Sequence, residues 1–360
     1  MKEIRSFVVG GFIGLSAVLY FILFPEPLSI QTALLVAAII IISFPLTILL
    51  HELGHFLAGR FQGMRLLNLS VGPLVIEKHE GKLHFHIVQS ALGYMGRAMM
   101  VFPEQLEKEL MRDKLVRYIY GGPLINVFVG LTTIGIAFGI CHHPFFVLFG
   151  LMNVLLGMTN LQPVMSKSAM TDGLVIQRLR TVPVEDSVIV AAYATLTENM
   201  KTTDVKKWNT DLISQLERLL NYEDPTAKSL LPTIGYYYLP EAPEKVLNIG
   251  RDSAFTRETA SFDYYADSSD ITFATALFFN DELKDYPSIE ERLRKIGKSD
   301  SVIEWKRNAL LSYIEGDSAG AFEHLNNAKD ALGKWHPLYL RGEMERELLD
   351  RMMEKVKLGM

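Results

Sequence analysis

Four stretches of this chain carry no charged residue over lengths at which a helix can cross a bilayer: Phe7 to Phe24, Ile30 to Leu50, Gly121 to Ile140, and Pro144 to Leu161. A hydrocarbon layer accepts a helix of about 20 residues because every backbone donor and acceptor must find its partner inside the segment. Four membrane spans are therefore expected, the last of marginal length. All of them lie before residue 165, and the remainder reads as polar, water-soluble sequence. The first run follows Lys2 and Arg5 as a secretory signal would, but no small-x-small cleavage site follows it, so it is read as a span.

Charge divides the chain in the same place. Up to Arg180 there are 14 Lys and Arg against 10 Asp and Glu, and beyond it 22 against 31. The acidic half has no basic patch with interleaved aromatics, which argues against a nucleic-acid partner. The single cysteine, Cys141, excludes an internal disulfide framework and a CxxC-type metal or redox site.

Lys and Arg close to span ends favour the cytoplasmic side. The loops Pro25 to Ser29 and Cys141 to His143 contain neither. The segment between the second and third spans carries nine, from Arg60 to Arg117, and Lys167, Arg178 and Arg180 follow the fourth. The expectation is a multi-pass protein of the cell membrane with both termini cytoplasmic. Within the basic loop, two-residue alternation at Leu66 to Val71 and Leu83 to Val88, around Glu80-Gly81, predicts β-hairpins at the membrane surface. Pro103 and Glu104 open an expected short helix ending near Lys114 and Arg117, just before the third span.

The chemistry-bearing motif is His51-Glu52-Leu53-Gly54-His55, at the inner end of the second span. Four-residue spacing puts both imidazoles on one helical face, one turn apart, where they can bind one zinc ion while Glu52 deprotonates a water. Two histidines on a helix surface are a blander reading. Location opposes it, since a Glu and two His at the end of a span are costly unless paired with a metal.

A catalytic zinc commonly takes three protein ligands. After the fourth span come Asn160-Leu161-Gln162-Pro163 and then Asp172-Gly173, and the third span opens with Gly122-Pro123-Leu124-Ile125-Asn126. With the HExxH motif, these resemble the site-2 protease family of intramembrane zinc metalloproteases, over roughly residues 1 to 180. The resemblance implies His51, His55 and Asp172 as zinc ligands, Glu52 as the general base, and Asn160 as a polar contact near the reacting carbonyl. The eight residues from Val164 to Thr171 make a longer link than the family's compact one. An Asp in that position also suits the N-cap of a helix over Leu174 to Leu179.

Other histidines fit a plainer account: His84 and His86, with His79 nearby, belong to a solvated strand face, and His142 and His143 to the opposite membrane interface. From Val184 the sequence predicts a cytoplasmic helical domain broken at Asp224-Pro225, Leu239-Pro240 and Gly316. Trp305, Ala309, Gly316, Ala321, Leu325 and Ala328 fit a tetratricopeptide-like helix pair, and such a domain offers a surface to a protein partner. Tyr236, Tyr237 and Tyr238 are expected to serve packing.

The fold class expected is thus mainly α: a polytopic membrane core of about four spans with an interfacial β-hairpin region over residues 1–180, and a degenerate TPR-like helical domain over 181–360. The function expected is a zinc-dependent intramembrane endopeptidase that cuts a transmembrane or membrane-inserted substrate near the cytoplasmic face of the lipid bilayer. A membrane metalloprotease with a soluble catalytic domain would need a downstream Glu helix rather than two more spans. A non-catalytic zinc-binding membrane scaffold would not need Glu52. A transporter would show more spans and an inverted repeat.

Overall fold

The computed structural model describes residues 14, 18, 29–79, 82–87, 96–141, 143–165, 170–202, 204–220, 227–252, 263–296, 301–332 and 341–358. The expected span Phe7 to Phe24, the Glu80-Gly81 turn, His142 and the Asp224-Pro225 break fall outside these residues or almost so. The protein is mostly helical with one small antiparallel sheet. It divides into two compact units, Met1–Ser166 with Met170–Val184, and Lys167–Ala169 with Glu185–Met360.

In the first unit, α1 (Ile30–Phe61) runs well past Leu50, so the HExxH motif continues the span without a break. Ser29 caps its start by accepting from the Thr32 N–H at 3.1 Å. Gly63, with φ 83°, ends it. There the Met64 N–H reaches Gly59 O and the Gly63 N–H reaches Arg60 O, the paired bonds of a Schellman turn. This stop throws the chain directly into the sheet beside the motif. Along α1 the outward side chains include Leu34, Leu35, Ile41, Ile42 and Leu46, whereas Ser43, Thr47, His51, Glu52 and His55 are buried. A helix that shows its apolar side outward and its polar side inward suits a lipid surrounding.

Four strands follow: β1 (Arg65–Val71), β2 (Leu74–His79), β3 (Lys82–Ile87) and β4 (Gly96–Val101), ordered β3-β2-β1-β4, all antiparallel. Gly72, with φ 55°, supplies the tight turn between β1 and β2. The hairpin expected around Glu80-Gly81 is present as β2–β3, and β1–β2 and β1–β4 enlarge it to a sheet. His84 lies in β3 opposite Glu77, half-buried, and the side chains of His79 and His86 are not among those described.

The expected short helix from Pro103 is not a separate element: it starts later and merges with the third expected span. Pro103 and Glu104 lie in a bend, and α2 (Lys108–Gly139) is a single 32-residue helix. The chain leaving β4 must first reverse direction, which uses the residues around Pro103, and nothing between Lys108 and Gly121 interrupts the hydrogen-bond ladder afterwards. α3 (Pro144–Leu161) has the expected bounds; His143 caps it by accepting from the Phe145 N–H. Thus three described helices, α1, α2 and α3, have the length and apolarity to cross a membrane. Glycines let them close: a Cβ on Gly54 would meet the Gly121 carbonyl oxygen at 2.3 Å, and one on Gly130 would meet that of Gly150 at 2.6 Å. α4 (Asp172–Thr181) completes the unit.

The second unit is helical throughout its described residues: α5 (Val188–Lys201), α6 (Thr210–Leu220), α7 (Leu231–Tyr238), α8 (Pro243–Asp252), α9 (Asp263–Phe279), α10 (Ile289–Arg294), α11 (Ser301–Ile314), α12 (Ser318–Leu332) and α13 (Arg341–Leu358). The break at Leu239-Pro240 separates α7 from α8 as expected. Gly316, φ 84°, turns α11 into α12, with Ala309, Ala321, Leu325 and Ala328 buried and Trp305 stacked on His324. A helix pair is therefore present where expected, but the tetratricopeptide-like character of the unit is not confirmed. Its neighbour α10 has only six residues, too few for a further repeat of that kind. Tyr236 and Tyr238 donate to Glu345 and Glu217, and Tyr237 packs edge-on against Tyr238, so the tyrosine run serves packing.

Candidate metal centre

His51 and His55 lie one turn apart on the buried side of α1, and Asp172 is brought to them by the first turn of α4. Asp172 Oδ2 stands 3.0 Å from His51 Nε2 and 3.4 Å from His55 Nε2, and the two Nε2 atoms are 3.1 Å apart. Among the described residues this is the one group of three such side chains whose ligand atoms all lie within 4.8 Å of one another.

Which atoms carry protons follows from their outer partners. Asn126 on α2 places its Nδ2 against the Thr47 carbonyl, 3.0 Å away, and a carbonyl can only accept. The Asn126 Oδ1 is therefore the atom facing His51 Nδ1 at 2.8 Å, and that nitrogen must donate. His55 Nδ1 in turn donates to the Tyr118 carbonyl, 3.2 Å away. In the neutral tautomers this fixes, both Nε2 atoms present lone pairs to each other and to the carboxylate. The short Nε2–Nε2 approach is then not a hydrogen bond, and the buried Asp172 Oδ2 has no hydrogen-bond donor.

Three converging lone pairs with no proton between them suit a cation. For ligand bonds of 2.0–2.1 Å, tetrahedral geometry sets neighbouring donors about 3.3 Å apart, close to the spacings found here. Gly122 keeps the space open: a Cβ there would stand 2.4 Å from His55 Nε2 and 2.8 Å from His51 Nε2. The residues present thus fit a zinc ion held by two imidazoles and one carboxylate.

The N-cap of α4 is Thr171, not Asp172: its Oγ1 accepts from the Leu174 N–H and donates to the Gln162 carbonyl. The capping role that Asp172 suits from sequence is taken by its neighbour, leaving its carboxylate for the cluster. The long link before it is an excursion whose ends meet. Met165 and Met170 form an antiparallel bridge, and the Thr171 N–H returns to the Val164 carbonyl at 3.1 Å. Gly173 lets α4 rest on the end of α3, since a Cβ there would fall 2.1 Å from the Leu161 carbonyl oxygen.

Glu52 is buried next to the cluster, against β4. Its carboxylate accepts from the Ala98 N–H, while the Ala98 carbonyl takes the Tyr118 hydroxyl. Gly96 leaves room for it, as a Cβ there would lie 2.4 Å from Glu52 Oε1. Asn160 sits half-buried in the last turn of α3, and the structure assigns it no bond to the cluster. The polar residue that does touch a cluster histidine is Asn126. Sequence reading names it as part of a motif without a role, although an Asn inside an apolar span four residues after a Gly is a signal in itself.

Residues 39–142 match Peptidase family M50. No curated protein and no solved structure matches the chain.

Proposed function

The chain belongs to peptidase family M50 over this region, and on that premise we propose that it is a membrane-embedded zinc endopeptidase that cuts transmembrane or membrane-inserted polypeptides near the cytoplasmic face. The observation that carries the reading is the convergence of His51 Nε2, His55 Nε2 and Asp172 Oδ2 with Glu52 beside them. M50 peptidases are zinc metalloproteases, and when bound the ion supplies a Lewis acid for the scissile carbonyl and for the attacking water.

His51, His55 and Asp172 are the proposed ligands. Glu52 takes the proton of the attacking water and passes it to the leaving nitrogen. A structural site would have no use for this carboxylate, which favours catalysis over a scaffold role. Asn160 is proposed as a polar contact for the substrate carbonyl, reached as the peptide enters past the end of α3.

Strand β4 lies against Glu52, so a peptide unwound along this side of the sheet passes the carboxylate, recognised through its main chain. Leu83, Phe85 and Ile87 form an exposed apolar row on β3. A wholly apolar cavity of about 260 Å³ is lined by Pro45, Leu46 and Leu49 of α1 and by Leu69, Val71, Leu74 and Ile76 of the sheet. Both features support a sheet that enters the apolar layer rather than standing off it. The cluster of Lys and Arg after α1 supports cytoplasmic termini, and the helical second unit is proposed to bind a protein partner or control access.

The test is cleavage of a panel of tagged membrane substrates in cells by the native chain, Glu52→Gln and Asp172→Asn, at equal expression and with zinc content measured. Native cleavage lost in Glu52→Gln with zinc retained supports the reading. Zinc binding with no product from the native chain, and no phenotype in Glu52→Gln, replaces it with a zinc-binding scaffold.

A further inference from the structure

We propose that Asn153, inside the membrane-spanning helix α3, is a positioning residue for the metal centre that acts through Asn126 to hold His51 with its Nε2 lone pair toward Asp172. The inference rests on reading the three-residue cluster as a metal site. It concerns a side chain that touches none of the three donors.

Asn126 and Asn153 are both wholly buried, in the part of the bundle where an amide has no water to fall back on. Asn153 Nδ2 donates to the Phe149 carbonyl at 2.9 Å and to the Thr47 hydroxyl at 3.2 Å. The Phe149 carbonyl only accepts, so the atom that Asn153 turns toward Asn126 is its Oδ1, which takes the Asn126 Nδ2 at 2.8 Å. The chain of amides is therefore polarised from both ends by backbone carbonyls, Phe149 O at one and Thr47 O at the other. Its last link is Asn126 Oδ1 to His51 Nδ1.

Turning the Asn126 amide over would set its oxygen against Thr47 O and Asn153 Oδ1 together, and would offer an NH₂ to His51 Nδ1. The ring would answer by moving its proton to Nε2, the atom that a metal needs free. Asn153 supplies one of the two acceptors that forbid this turn. Thr47 supplies the other from one helical turn before His51, so α1, α2 and α3 each hold one end of the arrangement. An asparagine placed only to glue helices would not need its orientation fixed by partners of a single kind.

The experiment uses the full chain in detergent, with two readouts: zinc affinity by competition with a chromogenic chelator, and ¹⁵N spectra of histidine-labelled, metal-free protein. At a pH where the ring is neutral, the native His51 should carry its proton on Nδ1 and leave Nε2 free. Asn153→Leu keeps the volume and removes the amide; zinc should bind about tenfold more weakly, and the His51 signals should move to a mixture of tautomers. Asn153→Asp, neutral in this apolar interior, retains an acceptor for Asn126 Nδ2 and an O–H for the Phe149 carbonyl, and should bind zinc as the native chain does, with the native tautomer. Thr133→Val removes another buried hydroxyl of α2, bonded to the Val129 carbonyl, and should change neither readout. If Asn153→Leu melts at a lower temperature but keeps native zinc affinity and the native tautomer, Asn153 is packing alone and the proposal is overturned. Neither readout needs cleavage. A native chain that binds zinc and cuts nothing would remove the protease reading while leaving this one standing, and the metal-free spectrum decides it even without zinc.

Discussion

At the scale of single residues, the proposed roles separate groups that would hold a cation from a group that would move a proton, and substitutions should separate them too. Glu52 is not one of the three converging donors. Glu52→Gln keeps shape and most contacts but removes the basic oxygen; cleavage should fall by about 10²–10⁴, as general-base loss does, with zinc content unchanged. Quantitative cleavage beside metal analysis checks this. Gly122 makes the complementary case. Gly122→Ala would put a methyl group 2.4 Å from His55 Nε2, whereas Gly135 in the same helix has nothing within 4 Å of an added Cβ. Overpacking of about 1–3 kcal/mol at the first site converts to roughly 5- to 150-fold weaker zinc binding, and Gly135→Ala should leave it as it is. Chelator competition on both variants tests the contrast. The histidines and Glu52 are legible in the sequence because one helical turn dictates their relation. Gly122 and Asn126 are legible only as members of a motif and Gly96 not at all, since their value lies in contacts to α1 across 44 to 75 positions that spacing does not encode.

At the scale of elements, the unexpected feature is how a long link still delivers its carboxylate. Sequence counts eight residues between Pro163 and Asp172, and a count says nothing of whether the ends of a segment meet. They do: Met165 pairs with Met170, and Thr171 is tied to Gln162 and Val164, so α4 starts beside the end of α3 despite the length of the link. Gly173 is the tight point, its missing Cβ facing the Leu161 carbonyl. Gly173→Ala should push α4 from α3, weakening zinc binding while His51 and His55 stay paired on α1, so that residual metal binding resembles that of Asp172→Asn. Isothermal titration of the two variants checks the likeness; native affinity in Gly173→Ala would show that α4 is placed by other contacts. Helices were legible from apolar length and the β2–β3 hairpin from alternation. The merger of the short loop helix with its span was not, because a break in composition at Gly121 is not a break in the hydrogen-bond ladder of α2.

At the scale of the whole molecule, two compact units with different chemistry share one chain, and their stabilities should be separable. The first buries a polar cluster among its helices and exposes apolar side chains such as Leu34, Ile41, Phe128 and Leu131; the second has an ordinary apolar interior that includes Leu216, Leu231, Leu277, Leu310, Leu325 and Leu349. Among the described residues of that interior lies an ion pair, Lys306 Nζ to Glu345 Oε1 at 2.6 Å, both side chains about 5% exposed or less, with the Tyr236 hydroxyl donating to the other Glu345 oxygen. It joins α7, α11 and α13. Removing one partner from such a pair strands the other charge in a poorly solvating interior, at a cost of about 3–5 kcal/mol. Lys306→Met should therefore lower the stability of the second unit by that amount, whereas Lys306→Met with Glu345→Leu should recover most of it, because the double change leaves no charge behind and forfeits mainly the tyrosine bond. Denaturant unfolding followed by circular dichroism reads the stability, and chelator competition on the same samples reads the metal centre. Every donor and outer partner of the cluster belongs to the first unit, so zinc affinity should stay native in both variants. A loss of zinc affinity that tracks the loss of stability would instead mean that the helical unit supports the metal centre rather than standing apart from it.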